Sequence, residues 1–104
     1  MITEKDIEKV LKEVPEYVKE KEEFTLIIVK YDDFPHKDCT HLNRRLLLNG
    51  MLLIRDVEKI YDVIAVKKEK LYEVIDYIRG YAKRRGCKVI SITFLDDKGV
   101  EPRD

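Results

Sequence analysis

The sequence predicts one α+β domain in which an amino-terminal helix precedes the element order βαββαβ. The main observation is the stretch 60–95, where two strand-like segments flank a helix-like one. β-branched and aromatic residues predominate in the flanking segments, 60–66 and 89–95, as they do in strands. Between them, apolar residues recur at spacings of three and four, the period of one helix face: Leu71, Val74, Ile75, Ile78 and Ala82.

The amino-terminal helix is predicted over residues 1–22. Thr3 can cap the first turn, and Asp6 lies where a capping box places an acidic side chain. Pro15 interrupts the helix pattern, so we expect a kink or a helix end near Glu13. The apolar stripe of this segment consists of Ile7, Val10, Leu11, Val14 and Val18.

The remaining elements follow from local patterns. Residues 24–31 are apolar on both faces, which is typical of a central strand, and a loop at 32–37 contains Pro35. A short helix is predicted over 38–48, where Leu42 and Leu46 form an i,i+4 pair. A strand at 51–55 then leads through a turn without glycine to the strand at 60–66. The long helix has no capping side chain at its start, but cations and Gly86 mark its end.

The order βαββαβ in the core, 24–95, is that of ferredoxin-like domains. The fold implies the strand order 4-1-3-2, with both crossover helices on one sheet face. We assign to the other face Ile27, Val29, Tyr31, Val63, Val89 and Ser91. Because that face is too apolar for water, the amino-terminal helix or a second subunit must cover it, and we expect a homo-oligomer. The polar tail is 96–104.

A winged helix is the alternative fold. In it, the short helix would be the recognition helix and the hairpin 51–66 would be the wing. That fold needs three helices before the wing, and residues 24–31 are too rich in β-formers to supply one. The ferredoxin-like interpretation is therefore preferred.

Composition limits the environment and the partners. The 21 basic and 21 acidic residues cancel, so no overall field attracts nucleic acid or an anionic membrane. No apolar run approaches the roughly 20 residues that span a bilayer, so we expect a cytoplasmic protein with no membrane partner. Abundant Lys, Glu, Ile and Val without Gln resemble the composition of thermophilic proteins.

A basic segment is the first candidate site. Residues 67–88 carry eight cations against three acids. Such a cluster can neutralise phosphates, and we predict a nucleic-acid site formed by Arg55, Arg79, Lys83, Arg84, Arg85 and Lys88. The alternative is a solvated helix face whose cations pair with acids. Tyr72, Tyr77 and Tyr81 either stack on bases or cover the core edge. The central strands lack the aromatic motifs of RNA-recognition domains.

A metal site is the second candidate. The predicted topology brings the end of the first strand, the end of the long helix and the start of the last strand together. Two imidazoles and two thiols there have the donor types of a tetrahedral zinc site: His36, Cys39, His41 and Cys87. The alternatives are surface histidines with small buried cysteines, which we prefer, or a Cys39–Cys87 disulfide. We therefore expect no cofactor, with zinc as the alternative.

Catalysis has weaker support. Asp32 and Asp33 are adjacent, so an extended chain directs them to opposite sides and they make a poor acid–base pair. Cys39 with His36 or His41 is a possible nucleophile and base, but no third residue orients them. The sequence predicts a small non-catalytic binding module that binds nucleic acid. The alternatives are a self-associating protein-interaction domain and a zinc-binding or Cys/His-dependent enzyme.

Overall fold

The computed structural model describes residues 2–20, 22–35, 42, 46 and 49–95. The chain is an α+β protein with a four-stranded, open antiparallel sheet. The helices whose bounds lie within the described residues are α1 (Glu4–Glu13), α2 (Glu16–Lys19) and α3 (Leu71–Arg84), the last preceded by a 3-10 turn at Lys68–Lys70. Its strands are β1 (Phe24–Tyr31), β2 (Gly50–Asp56), β3 (Tyr61–Lys67) and β4 (Val89–Leu95).

The strand order in the sheet is β2-β3-β1-β4. The strands predicted to be central, β1 and β3, are central, because their side chains are apolar on both faces and each face is covered. The two edge strands each contain an irregularity in register. In β4 the extra residue is Ile90, near the start of the strand, and in β2 it is Leu53, in the middle.

The amino-terminal segment covers one face of the sheet. Its start is the predicted capping box, in which Thr3 Oγ1 accepts a hydrogen bond from the Asp6 amide and Asp6 Oδ2 accepts one from the Thr3 amide. Pro15 separates α1 from α2, also as predicted. Buried residues of α1, α2 and their junction pack in one cluster with Leu26, Ile28, Val63, Ala65 and Leu95.

Helix α3 covers the opposite face. Val74, Ile75 and Ile78 of α3 pack in a second cluster with alternate residues of β1 and β3: Ile27, Val29, Tyr31, Ile64 and Val66. Leu42 and Leu46, the described residues of the predicted helix 38–48, are helical, buried and part of the same cluster. The rest of that helix and the tail 96–104 lie outside the described residues.

The predicted assignment of the sheet faces is wrong in part. The side opposite α3 carries Val63, as predicted. The α3 side carries four residues that are predicted on the other face: Ile27, Val29, Tyr31 and Val89. Alternate residues of a strand lie on the same face of the sheet. When both faces are apolar, however, this alternation does not tell which set of residues packs against which helix. The apolar face opposite α3 is covered by α1 and α2, so it does not require a second subunit.

The β2–β3 turn is tied to α1 by charged side chains. Lys59 Nζ lies 2.5 Å from Asp6 Oδ1, and Lys9 Nζ lies 3.6 Å from Asp56 Oδ2. The turn ends at Ile60, which has φ +58°, a left-handed conformation that glycine usually adopts. The hydrogen bond from the Lys59 ammonium lowers the pKa of Asp6 below its usual value. Ionised Asp6 therefore stabilises the contact between α1 and the sheet.

Acidification should weaken this contact. Because the pKa of Asp6 is lower in the folded state, its contribution is present above the unfolded-state pKa and is lost as pH falls through the folded-state pKa. We expect Asp6→Asn to lower the free energy of unfolding at pH 7. The variant should also lose less stability than the wild type between about pH 5 and pH 1. Urea denaturation as a function of pH measures both effects.

Glu8→Gln is the matched control for Asp6→Asn. Glu8 lies on α1 but is exposed, and among the described residues it makes no ion pair. The loss of stability on acidification could be the same in Asp6→Asn as in the wild type, or Glu8→Gln could reduce it equally. Either result would contradict a stabilising role for the Asp6–Lys59 contact.

The packing of α1 can be tested by burying a charge. Val10 is fully buried against the sheet, so Val10→Asp should lower the free energy of unfolding by about 3–5 kcal/mol. Lys5→Asp introduces the same side chain at an exposed position in the first turn of α1, where an acid favours the helix dipole. Chemical denaturation should show no loss for Lys5→Asp. A small loss for Val10→Asp would mean that α1 does not cover the sheet.

Candidate nucleic-acid interface

The carboxyl end of α3 carries the cluster of cations that the sequence indicates. The helix ends at Arg84, Gly86 adopts φ +78°, and the Cys87 amide donates to the Ala82 carbonyl at 2.9 Å. Only glycine adopts this backbone conformation without strain, so the chain turns sharply from α3 toward β4. The cations of the last turn and those of the following segment therefore lie on either side of this sharp turn.

Five of the six predicted nucleic-acid residues lie on the surface. Arg79, Lys83, Arg84, Arg85 and Lys88 are all exposed. The ion pairs among the described residues involve other side chains, so none of these five lies within 4.0 Å of a described carboxylate. The alternative of an ion-paired helix face holds for Lys70, which lies 3.7 Å from Glu73, but not for these five residues within the part of the chain that the structure describes. We name these five residues the α3 basic cluster.

Two tyrosines lie beside the α3 basic cluster. A depression of about 430 Å³ is lined by Tyr77, Tyr81, Arg84 and Arg85. The two tyrosine rings stack one helical turn apart, with centroids separated by 5.9 Å and planes inclined by 22°. The Arg85 guanidinium carbon lies 4.7 Å from the centroid of the Tyr81 ring, a cation–π contact. Arg85 is thus held near the depression while it remains exposed.

Gly80 lies beside a second arginine of the depression. A Cβ atom at this position would lie 3.3 Å from Nη1 of Arg84, one turn further along the helix. Because this atom is the far end of a flexible, exposed side chain that can move aside, the contact does not require glycine at this position.

The three tyrosines of α3 have different environments. Tyr81 is buried, Tyr77 is half-buried against the α3-side cluster, and Tyr72 is 75% exposed in the first turn of α3. The sequence predicts that these tyrosines either stack on bases or cover the edge of the core. Because their exposure differs, the same alternative does not apply to all three. Tyr77 and Tyr81 both line the depression near the α3 basic cluster, and of these two the Tyr81 side chain is the more deeply buried.

The predicted convergence of distant segments at one end of the sheet is found for the described residues. The Asp32 amide donates to the Lys88 carbonyl, and the Lys88 amide donates to Asp32 Oδ1 at 2.8 Å. Cys87 Sγ lies 3.6 Å from the Phe34 carbonyl oxygen. Asp32 and Asp33 each accept a hydrogen bond from the next amide of the chain. These two hydrogen bonds help to fix the backbone of the loop.

Arg55 has a different environment from the other predicted nucleic-acid residues. Its Nε and Nη2 atoms donate to the two carboxylate oxygens of Asp62 at 2.7 and 2.8 Å, and the Asp62 side chain is fully buried. The Arg55 guanidinium also lies 4.0 Å from the centroid of the Phe34 ring. Because this two-bond pairing neutralises the guanidinium inside the protein, we place Arg55 outside the α3 basic cluster.

Tyr31 completes the buried network. Its hydroxyl donates to Asp62 Oδ2 at 3.1 Å, and its ring meets Phe34 edge to face. Burial and the Asp62 carboxylate raise the pKa of Tyr31. The sequence contained a signal for this network, because Asp62 is a charged residue within an otherwise apolar central strand. Such a residue needs a buried partner, and Arg55 lies directly opposite it in the β2–β3 register.

The predicted zinc ligands His36, Cys39 and His41 lie outside the described residues. Their fourth proposed partner, Cys87, is half-buried beside the Phe34 carbonyl. Within residues 2–20, 22–35, 42, 46 and 49–95, no group of three or more His, Cys, Asp and Glu side chains could hold a metal ion. The zinc site and the Cys39–Cys87 disulfide stay predictions.

The buried Arg55–Asp62 pair predicts strongly coupled mutations. Arg55→Met should cost about 3–5 kcal/mol of unfolding free energy, because it leaves the Asp62 carboxylate buried without its cation. Adding Asp62→Leu removes that stranded charge, so the double variant should recover part of the loss. Chemical denaturation of both single variants and the double variant measures the coupling. If the loss of unfolding free energy in the double variant equals the sum of the losses in the two single variants, the two side chains are not paired.

Comparisons with known proteins do not assign a family. No family model, curated protein or solved structure matches the chain. In the part of the chain that the structure describes, no helix is long and apolar enough to cross a membrane.

Proposed function

We propose that the chain is a non-catalytic module that binds nucleic acid through the α3 basic cluster. The observation that carries the proposal is the exposure of Arg79, Lys83, Arg84, Arg85 and Lys88 without an ion pair to any described acid. Phosphates are the chemical group that such a local concentration of cations neutralises best, and arginine can bind a phosphate through two hydrogen bonds.

The helix dipole explains only part of the α3 basic cluster. Cations in the last turn of a helix stabilise its negative end, which accounts for Lys83 and Arg84. Arg79 lies before that turn and Lys88 follows the helix end, beyond the range over which the dipole acts. These two positions favour a ligand-binding role for the cluster over a purely helix-stabilising one.

The depression supports a contact with bases as well as phosphates. Half-buried Tyr77 lines it beside Arg84 and Arg85, whereas the Tyr81 ring is buried and contacts Tyr77 and Arg85. Aromatic rings and guanidinium groups are the side chains on which unpaired bases stack. We therefore expect single-stranded nucleic acid to bind more tightly than duplex of the same length. With a net charge of zero for the chain, long-range attraction is weak and binding depends on this local patch.

We further propose a ferredoxin-like topology for the core. The order β2-β3-β1-β4, counted from the other edge, is the expected 4-1-3-2, and α3 connects β3 to β4 on one face. In this arrangement α1 and α2 close the sheet face opposite α3. A nucleic acid would then contact the end of α3 and would not lie on the open sheet.

The role of the α3 basic cluster in binding can be tested by substitutions that remove the charge of a side chain without greatly changing its shape. Arg84→Gln/Arg85→Gln should weaken binding of labelled single-stranded DNA and RNA measured at about 50 and 200 mM salt. On a duplex, the slope of log affinity against log salt should fall by about 0.9 for each phosphate that the variant no longer neutralises. Thermal unfolding should show that the variant remains folded, because both side chains are exposed.

Lys5→Gln/Lys12→Gln is the matched control, since it removes the same net charge from exposed positions on α1. This control should retain the wild-type affinity and salt slope. Equal weakening by both pairs would indicate a nonspecific effect of net charge. Unchanged affinity for Arg84→Gln/Arg85→Gln would exclude the α3 basic cluster as the site.

A further inference from the structure

We propose that the chain forms a homodimer by antiparallel pairing of β4 with β4 of a second copy. Among the described residues, β4 is hydrogen-bonded to one strand, β1, and forms an edge of the sheet. The backbone groups on the outer side of an edge strand are directed away from the sheet and match another strand. The proposal is independent of nucleic-acid binding.

The sequence of β4 lacks most of the features that usually prevent edge pairing. Its seven residues, VISITFL, include no charged residue, proline or glycine. Lysine, proline and β-bulges are common protections of edge strands. The register irregularity of β4 is at Ile90, so Ser91 to Leu95 pair regularly with β1. The other edge strand, β2, has its extra residue in the middle and ends with Arg55 and Asp56.

The side chains of β4 are incompletely covered by the described part of the chain. Ile92 and Phe94 pack against the α3-side cluster but remain half-buried, and Ile90 is 57% exposed. On the neighbouring strand β1, by contrast, the residues from Leu26 to Val29 are all buried. A strand added beside β4 would cover the outer sides of Ile92 and Phe94 while its backbone pairs with β4.

A second copy fits this edge better than other occupants. An antiparallel pair related by a two-fold axis places the same surface on both sides, so β4 is its own partner. Because β4 carries no charge, the pairing opposes no like charges. A single pair of edge strands buries less surface than a standard interface of about 1,600 Å², so we expect a dissociation constant in the micromolar range or weaker.

The first test is the oligomeric state of the full chain by analytical ultracentrifugation over a wide concentration range. The wild type should show a reversible monomer–dimer equilibrium. Hydrogen exchange at low and high concentration should show added protection of β4 amides and none of β2 amides. The proposal would be overturned if the chain stays monomeric at all concentrations, or if the added protection is confined to segments other than β4. A β4 edge that is occupied by a different peptide, and not by a second copy, would give the first of these results.

Charge variants test the pairing directly. Thr93 is half-buried and is the middle residue of the regularly paired stretch from Ser91 to Leu95. In the proposed dimer the register is centred on this stretch, so the two Thr93 side chains lie close together. Thr93→Lys and Thr93→Asp should each weaken dimerisation at least tenfold through like-charge repulsion. An equal mixture of the two variants should dimerise again, because opposite charges then face each other, and this recovery also shows that both variants are folded.

Val57→Lys and Val57→Asp are the matched controls. Val57 is 73% exposed in the β2–β3 turn, away from β4. Both controls should dimerise as the wild type does. Unaltered dimerisation of the Thr93 variants, or no recovery in their mixture, would show that β4 is not the interface.

Discussion

The structure depends on one constraint, which is that the two central strands are apolar on both faces. β1 and β3 place alternate side chains on opposite sides of the sheet, and those side chains are buried on each side. Burial of this kind needs two separate layers. The chain supplies one from its amino-terminal segment and the other from α3 with Leu42 and Leu46. The amino-terminal helices α1 and α2 are therefore an integral layer of the fold.

This double burial also determines where charge can be placed. Asp62 lies in a strand with no access to water, so its carboxylate requires both Arg55 and the Tyr31 hydroxyl. Arg55 is consequently removed from the cations that face solvent. The ion pairs between α1 and the β2–β3 turn serve a related purpose, since they fix the amino-terminal layer at its edge through Lys59 and Asp6.

Covering both faces leaves two kinds of surface for interaction, which are the helix ends and the edges of the sheet. The α3 basic cluster belongs to the first kind and carries charge without described acidic partners. The β4 edge belongs to the second and carries apolar side chains and backbone hydrogen-bonding groups. One surface is charged and the other is apolar, which is why we propose a polyanion for the first and a strand for the second.

The sequence by itself determined the features that depend on neighbouring residues. The Thr3–Asp6 capping box, the break at Pro15, the left-handed Gly86 and the bounds of β1 and β4 follow from local patterns and are confirmed. The centrality of β1 and β3 also follows, because continuous apolar runs need two covers.

Only the tertiary structure decided the features that depend on residues far apart in the chain. Strand alternation is symmetric when both faces are apolar, so it did not show that Ile27 and Val29 face α3. The pairing of Arg55 with Asp62 depends on the register between β2 and β3. The exposure of the α3 basic cluster likewise depends on which acids the fold brings near it. Counting charges along the chain cannot supply that information, because ion pairing is decided by distances in space.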